Sequence, residues 1–242
     1  MRLKNNVAII TGGNRGIGRS ISQTLAKEGA TVVIAAKNEK LSKQACEEVV
    51  SLGSKCLAIK TDVSKSKDVK NLIKQTIKSF GKIDFLINNA GVGIAKPLDE
   101  TSEEDYDNIM NANVKGSFLM IREVLPIMKK QKSGTIVNIS SQAGKAGIPN
   151  LSVYCASKFA VLGLTQSVAL EAIEHKIKVF SVCPGGVDTD MYHSLFPDSS
   201  ASLSPQDVAD AVLRLCLPNR FGAGYSIELY SKLVKLMMNM RR

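Results

Sequence analysis

Several kinds of residue and segment are scarce in this chain of 242 residues. It has no tryptophan and two histidines, and only 5% of its residues are aromatic. No apolar run reaches the roughly 18 residues that a membrane-spanning helix needs. Met1 is followed by polar residues and then by the short run Val7-Ala8-Ile9-Ile10, without the apolar segment of an export signal. We therefore expect a cytoplasmic protein that does not insert stably into a membrane.

Cysteine is also sparse and scattered. The five cysteines include no CxxC pair, which is the usual spacing in zinc sites and dithiol redox motifs; they are Cys46, Cys56, Cys155, Cys183 and Cys216. We expect no metal site and no disulfide framework, in keeping with a reducing cytosol.

The net charge of +10 is the clearest departure from an average composition. A positive charge of this size could attract nucleic acid, an anionic membrane, a phosphorylated cofactor or an acidic protein partner. No basic cluster is interleaved with aromatic residues, as nucleic-acid sites usually are. Nucleic acid is therefore the weakest of these partners, and we expect none.

What the chain does contain is a regular alternation of apolar runs and amphipathic stretches. The runs predict strands at Val7 to Thr11, Thr31 to Ala36, 55–61, 83–87, 134–140, 177–183 and 225–230. Helical periodicity follows at 20–28, 39–52, 65–80, 102–130 and 154–172. Without a linker or an internal repeat, this pattern predicts an α/β fold: a single doubly wound Rossmann-type domain over residues 1–242, with a seven-stranded, mostly parallel sheet flanked by helices on both faces.

The first apolar run ends in a glycine-rich segment, TGGNRGIG, from Thr11 to Gly18. Glycines allow a sharp turn and let backbone amides approach a pyrophosphate at a helix N-terminus. The spacing differs from the general GxGxxG fingerprint, and a tight structural turn would use the same residues.

The end of the second run indicates which nucleotide would bind. An acidic residue there would bond the ribose hydroxyls and repel a 2′-phosphate. This chain instead has Ala36 and then Lys37, with Arg15 in the glycine segment. Two cations and no carboxylate favour NADP(H) over NAD(H), although both could be solvated surface residues.

Polar or turn-forming residues also follow the later strands, at Asp62-Val63, Asn88 to Gly91, Ser141, and Pro184 to Thr189. Because the carboxyl ends of parallel strands meet at one edge of a sheet, we expect these residues to lie close together. Any one of them alone could be an ordinary turn.

Two helical positions carry further chemistry. Tyr154 and Lys158 are four residues apart, so their side chains share one helix face, and a nearby cation should lower the pKa of the phenol. Asn113 lies within an apolar helical stretch, where its amide needs a partner or bends the helix.

Taken together, these motifs resemble the short-chain dehydrogenase/reductase family, in order and spacing, over essentially the whole chain. The resemblance implies that Tyr154 is the general acid in ketone reduction and the base in alcohol oxidation, and that Lys158 lowers its pKa. It also implies that Ser141 holds the substrate carbonyl oxygen and that Asn113 anchors a water chain to Lys158. The cofactor-binding residues that it implies are Gly12, Asn14, Arg15, Gly16, Ile17, Gly18, Lys37, Asp62, Val63, Asn88, Asn89, Ala90, Gly91, Tyr154, Lys158, Pro184, Gly185, Val187 and Thr189.

The resemblance gives 3-oxoacyl thioesters as the best substrate guess, with another small ketone, aldehyde or alcohol as the alternative. The segment after Thr189 is expected to be a loop that covers a hydrophobic substrate. An acidic acyl carrier protein could be steered by a basic cluster, unless that cluster is an ordinary solvated surface; its residues are Lys129, Lys130, Lys132, Lys176 and Lys178. A homodimer or homotetramer is expected, because stretches 102–130 and 154–172 form subunit contacts in relatives.

Two other readings remain open. The chain could bind the nucleotide as a sensor and have lost catalysis, although Ser141, Tyr154 and Lys158 are all present. The basic, Met-rich segment 231–242 replaces the Asp-Gly-Gly ending of the bacterial 3-oxoacyl reductases, and it could pack on the protein or contact a membrane surface.

Overall fold

The computed structural model describes residues 1–218, 224 and 226–229, and its centre is one sheet of seven strands. In spatial order the strands are β3-β2-β1-β4-β5-β6-β7, and each neighbouring pair is parallel. Their bounds are β1 Val7–Thr11, β2 Thr31–Ala36, β3 Cys56–Lys60, β4 Phe85–Asn88, β5 Gly134–Ile139, β6 Ile177–Pro184 and β7 Ser226–Leu229. The predicted seven-stranded α/β fold is confirmed.

Helices cover both faces of this sheet. They are α1 Gly16–Lys27, α2 Glu39–Ser51, α3 Ser66–Phe80, α4 Glu103–Met110, α5 Gly116–Gln131, α6 Ser152–Ala172, α7 Asp190–Leu195 and α8 Pro205–Cys216. Successive strand residues point to opposite faces, so Ile10 packs in the core beneath α1, α2 and α8, whereas Ile9 packs in the core beneath α3, α5 and α6. Burial on both faces explains why the strands are almost uniformly apolar.

The predicted helix 102–130 is interrupted. A π-helical turn, Asn111–Lys115, separates α4 from α5. Such turns are rare and often mark functional positions. Asn113 lies in this turn and is 2% exposed.

The segment after Thr189 also differs from the expectation. It was expected to be a loop, but it forms α7, which Thr189 caps by accepting a hydrogen bond from the backbone N–H of Tyr192. The short α7 was hard to recognise because Pro197 and a serine-rich stretch follow it directly. Helix α8 was not predicted either, although Ser204 and Asp207 form a capping box at its start.

One expectation about cysteine is wrong. Cys46 of α2 and Cys56 of β3 form a disulfide, with their Cα atoms 5.4 Å apart. The ten-residue separation carries no motif that would announce the pairing. Cys155, Cys183 and Cys216 are free and buried.

Helix α6, with the short turn that follows it, is the one described segment long and apolar enough to cross a membrane. The segment Ser152–His175 has a mean hydropathy of 1.3 in its most apolar window. Its residues Val168 and Ala169 lie in the core against the sheet. This packing is that of the core helix of a globular domain. The basic, Met-rich segment 231–242, for which packing on the protein and membrane contact were both left open, lies outside the described residues.

Candidate active site

A cleft of about 830 Å³ opens at the carboxyl edge of the sheet, where we expected the polar strand ends to meet. It brings together almost all of the predicted site residues. Those that line it are Gly12, Asn14, Arg15, Gly16, Ile17, Lys37, Asp62, Val63, Asn89, Ala90, Gly91, Ser141, Tyr154, Lys158, Pro184, Gly185, Val187 and Thr189. Gly18, Asn88 and Asn113 do not line it, and each lies behind the wall for a different reason.

The glycine segment forms the floor at one end of the cleft. Gly12 and Gly16 have positive φ angles of 63° and 50°, which side chains on other residues disfavour. Gly18 packs so closely that an added Cβ would lie 2.1 Å from the carbonyl oxygen of Gly12. Gly18 therefore allows helix and turn to meet, rather than touching a ligand.

Helix α1 starts at this turn, and its N-cap residue Arg15 provides no side-chain hydrogen bond to the first amides. Free amides and the positive end of the helix dipole suit an anion. The close turn and the uncapped helix start together fit a dinucleotide whose pyrophosphate would lie there.

The loop after β4 is fixed to the glycine turn by Thr11. The Thr11 hydroxyl accepts hydrogen bonds from the backbone N–H groups of Asn89 (2.9 Å) and Ala90 (3.0 Å). The Asn89 amide in turn donates to the carbonyl of Thr11 at 2.9 Å. Two strand ends of the cleft are thus held in one rigid unit.

The resemblance implies that Asn88 binds the ribose region of the cofactor, but Asn88 does not line the cleft. Its side chain is buried and donates to Asn138 Oδ1 of the neighbouring strand at 2.9 Å. Asn138 donates in turn to Thr165 of α6 at 2.9 Å. Asn88 therefore ties sheet to helix, and Asn89, the next residue, reaches the cleft.

At the opposite end of the cleft from Tyr154, Lys37 has a partner that the sequence did not reveal. Its Nζ lies 3.1 Å from Asp62 Oδ2, and the Lys37 side chain is 70% exposed. Burial alone would raise the pKa of Asp62, but hydrogen bonds from Ser64 and Lys37 outweigh it, so the pKa is lowered. Arg15 lines the same region.

At the catalytic end, Ser141 lies beside the Tyr154 phenol and acts to lower its pKa, and the Ser141 hydroxyl accepts a hydrogen bond from the backbone N–H of Ala143 at 3.1 Å. Lys158, one turn further along α6, is 6% exposed, and its Nζ donates to the carbonyl of Ile139 at 3.0 Å. The same nitrogen is 5.5 Å from the centre of the Tyr154 ring. The three predicted side chains therefore meet at one place in the cleft.

The expected effect of Lys158 on Tyr154 is not found. Burial raises the pKa of Tyr154 to about 12, against the opposing effect of the neighbouring Ser141. Burial likewise lowers the pKa of Lys158 to about 8. Desolvation disfavours both charged forms, so the phenol is held protonated, ready to donate, and the ammonium is close to its titration point at neutral pH.

Asn113 has the partners that a buried amide requires. Its Oδ1 accepts from the N–H of Val92 at 2.8 Å, and its Nδ2 donates to the carbonyl of Val92 (2.9 Å) and to Ser157 Oγ (3.0 Å). The Ser157 hydroxyl donates to the carbonyl of Tyr154 at 2.7 Å. The π-helical turn thus links the wall at Val92 to the helix that carries Tyr154.

Two glycines at the substrate end were missed from the sequence. An added Cβ on Gly93 would lie 3.1 Å from Leu195 and 3.2 Å from the Tyr154 ring, and one on Gly186 would lie 2.5 Å from the Tyr192 ring. Neither glycine has a positive φ. They are needed for close packing of α7, which a sequence shows only once the contacts are known.

The predicted basic cluster does not lie near this cleft. Lys132 directly precedes Ser133 and the start of β5, and Lys176 directly precedes β6, with Gly134 paired to Ile177. These are the amino ends of parallel strands, whereas the cleft lies at their carboxyl ends. A partner held by this cluster would not be directed into the cleft. The structure therefore does not support the idea that the cluster steers an acyl carrier protein to the active site.

Comparison with known proteins shows the family to which the chain belongs. The sequence model of the short chain dehydrogenases matches residues 6–200. The chain belongs to the short-chain dehydrogenase family. Its members bind NAD(P)(H), and this short-chain dehydrogenase is an oxidoreductase acting on CH–OH and C=O groups.

Three similar proteins illustrate the range within the family. An uncharacterized oxidoreductase of Thermotoga maritima is 40% identical over 86% of this chain and 81% of its own length. A hydroxynaphthalene reductase-like protein of Metarhizium guizhouense is 36% identical over 88% and 82%. The crystal structure of a 3-ketoacyl-(acyl-carrier-protein) reductase from Brucella melitensis, complexed with NADH, superposes with a TM-score of 0.88 at 30% identity, covering 93% of this chain and 97% of that one.

Proposed function

We propose that this short-chain dehydrogenase is an NADP(H)-dependent carbonyl reductase that converts a ketone to a secondary alcohol, with Tyr154 as general acid. The observation that supports this most strongly is that Ser141, Tyr154 and the buried Lys158 line the same cleft, with the Lys158 Nζ 5.5 Å from the centre of the Tyr154 ring. When bound, the reduced nicotinamide would supply the hydride.

The protein residues would handle the proton and the developing negative charge. Ser141 and Tyr154 would both donate to the carbonyl oxygen and stabilise the charge that gathers on it. Tyr154, protonated because its pKa is about 12, would then give its proton to that oxygen. Lys158, with a pKa of about 8, can return a proton to the phenolate at neutral pH. Asn113 would position Tyr154 and the Val92 wall, rather than contact substrate.

The remaining site residues would bind the nucleotide. Gly12, Gly16 and the amides that open α1 would hold the pyrophosphate, Asp62 and Val63 the adenine, and Asn89 to Gly91 the ribose region. Pro184, Gly185, Val187 and Thr189 would hold the carboxamide end, with Asn14 and Ile17 completing the wall.

The preference for NADP(H) rests on Arg15 and Lys37. Because Asp62 already accepts from Lys37, a 2′-phosphate would compete with that carboxylate for one cation. We expect a lower Kd for NADPH than for NADH, reduced or reversed by Lys37→Asp. Fluorescence titration of both nucleotides measures it, with Lys60→Asp as a matched control, since Lys60 pairs with Glu39 and does not line the cleft. Equal affinities of the parent for both nucleotides would contradict the preference.

For the substrate, we propose 3-oxoacyl thioesters, supported by the likeness to a 3-ketoacyl reductase. A planar cyclic ketone is the second candidate, favoured by the rings of Tyr192 and Phe196, 5.2 Å apart in the cleft lining, and by the hydroxynaphthalene reductase-like relative. Purified protein with NADPH and a panel of 3-oxoacyl thioesters, cyclic diketones and aldehydes is expected to oxidise the nucleotide. If no substrate is turned over although NADPH binds, the chain acts as a nucleotide sensor instead.

We also propose a single domain in a cytoplasmic homo-oligomer. The exposed aromatic side chains Tyr106, Phe118 and Phe159 on α4, α5 and α6 support such an assembly, because exposed apolar patches mark interfaces. Light scattering is expected to give a mass of two or four chains, and Phe159→Glu should lower it.

A further inference from the structure

The amino edge of the sheet, opposite the cleft, carries a lysine in front of every strand from β1 to β6. Each of these lysines lies within four residues of the strand that it precedes. In spatial order across the sheet they are Lys55, Lys27, Lys4, Lys82, Lys132 and Lys176.

Hydrogen bonds between neighbouring strand starts show that these turns lie side by side. The carbonyl of Lys55 accepts from the N–H of Val32 at 2.9 Å, and the carbonyl of Asn6 accepts from the N–H of Thr31 at 2.8 Å. The carbonyl of Asp84, just before β4, accepts from the N–H of Thr135, the second residue of β5, at 2.9 Å. Five strand spacings of about 4.8 Å place the six lysines along a row of about 24 Å.

The row has few compensating charges. Its turns, 1–6, 27–30, 52–55, 81–84, 131–133 and 173–176, hold seven lysines and arginines against three carboxylates. Two of those carboxylates are engaged, Glu28 with Arg2 at 2.6 Å and Asp84 with Lys82 at 3.0 Å. Within residues 1–218, Lys82 is the one lysine of the six in an ion pair.

Large apolar side chains are exposed in or directly beside these turns. Met1 is 75% exposed and lies against Gly29, in the turn after Lys27. Val50 is 57% exposed, and its carbonyl accepts from Gly53, two residues before Lys55. Ile173 is 55% exposed, and its carbonyl accepts from the N–H of Lys176.

We propose that this amino edge docks the protein on an anionic lipid surface. Flexible lysines interspersed with exposed aliphatic side chains suit a phospholipid interface, where the charges meet the headgroups and the apolar chains enter between them. Nucleic-acid phosphates are more often bound by arginine and aromatic residues, and the only arginine in these turns is Arg2, which is already paired. The docked protein holds its cleft toward solution, on the far side of the sheet.

Sedimentation of the full chain with vesicles tests this proposal. Binding is expected to vesicles of phosphatidylglycerol and phosphatidylcholine, and not to phosphatidylcholine alone. Each lysine near such a surface is worth about fivefold in affinity, so the triple variant Lys27→Gln, Lys55→Gln, Lys176→Gln is expected to bind about a hundredfold more weakly. Val50→Ser with Ile173→Ser is expected to remove the part of the binding that survives high salt.

The matched control carries the same charge change on the other side of the fold: Lys40→Gln, Lys43→Gln, Lys67→Gln, three exposed lysines near the starts of α2 and α3. It is expected to lose much less binding, with thermal melting curves confirming that both variants fold. The proposal is overturned if the two triple variants bind alike or if phosphatidylcholine alone suffices. It is equally overturned if a DNA duplex binds more tightly than the vesicles, or if deleting 230–242 abolishes binding that the amino-edge triple variant retains.

Discussion

The two edges of the sheet are built from the same strands, and yet their ionisable groups differ in kind. At the carboxyl edge Lys158 is 6% exposed, and burial has brought its pKa down to about 8. At the amino edge Lys176, which caps a turn just before β6, is exposed to solvent. Burial therefore lowers the pKa of Lys158 far enough for this side chain to exchange protons near neutral pH.

The largest difference between the edges should appear in catalysis. Replacing Tyr154 by Phe removes the proton donor while keeping the ring, and is expected to lower kcat about a thousandfold. Lys176→Met, at the amino edge, is expected to leave kcat unchanged. Steady-state kinetics with NADPH and the substrate identified from the panel measures both. Comparable activity of Tyr154→Phe and the parent would remove Tyr154 from the proposed chemistry.

Glycines at the two edges should respond differently to alanine. The Cβ of Gly18→Ala would lie 2.1 Å from a backbone oxygen, so the turn must shift. The free energy of unfolding is expected to fall by more than about 3 kcal/mol, and nucleotide binding is expected to be lost. Gly53, before β3, has open space around it but a φ of 83°, so Gly53→Ala is expected to cost about 1 kcal/mol. Urea unfolding measures both, and equal losses would show that the close contact at Gly18 can relax.

Breaking the disulfide should affect the amino edge and not the cleft, because Cys56 is the first residue of β3. Opening a loop of ten residues is expected to cost about 2.7 kcal/mol through the greater freedom of the unfolded chain. Cys46→Ser and reduction of the parent should lower the free energy of unfolding equally, with kcat unchanged. Unfolding with and without a phosphine reductant measures this, and a reductant effect in Cys46→Ser itself would point to a different bond.

The smallest effect concerns pH. The pKa of Lys158 is about 8 in the folded chain against 10.5 normally. Below pH 8 both states hold the proton, and the cost of the buried charge is fully present. Above it the unfolded chain binds more protons, so stability rises with pH. From about pH 7 to about pH 9.5, Lys158 is expected to add about 2 kcal/mol.

Lys158→Met should abolish that gain. Comparing its urea unfolding with that of the parent cancels the opposing effects of Cys183 and Cys216, whose thiol pKa values burial raises. Lys176→Met is the exposed control. An unchanged pH dependence in Lys158→Met would mean that the buried ammonium is better solvated than the structure indicates.

The sequence predicted those features that depend on local pattern. Apolar runs such as Val7–Thr11 and Thr31–Ala36 located strands to the residue, because burial on both faces leaves no polar alternation to blur the ends. The order of strand ends also predicted which residues, Ser141 and Tyr154 among them, would share a cleft.

Features that depend on contacts distant in sequence were not predicted. Lys37 follows β2 and Asp62 follows β3, so their ion pair requires the pairing of these two strands. The pairing of Cys46 with Cys56 requires the packing of α2 on β3. The pKa of Tyr154 was expected to fall, because the sequence shows the nearby cation but not the burial that raises this pKa.

The last described strand bears on how the protein is made. The carbonyl of Leu229 in β7 accepts hydrogen bonds from the side chain of Gln142 at 3.2 Å and from the N–H of Gly185 at 3.0 Å. The strand therefore supports two segments that line the catalytic end of the cleft. At about 5–20 residues per second, the ribosome adds Leu229 roughly 7 to 28 s after Asn88. A nascent chain therefore contains its first four strands well before it contains the strand that supports the catalytic end.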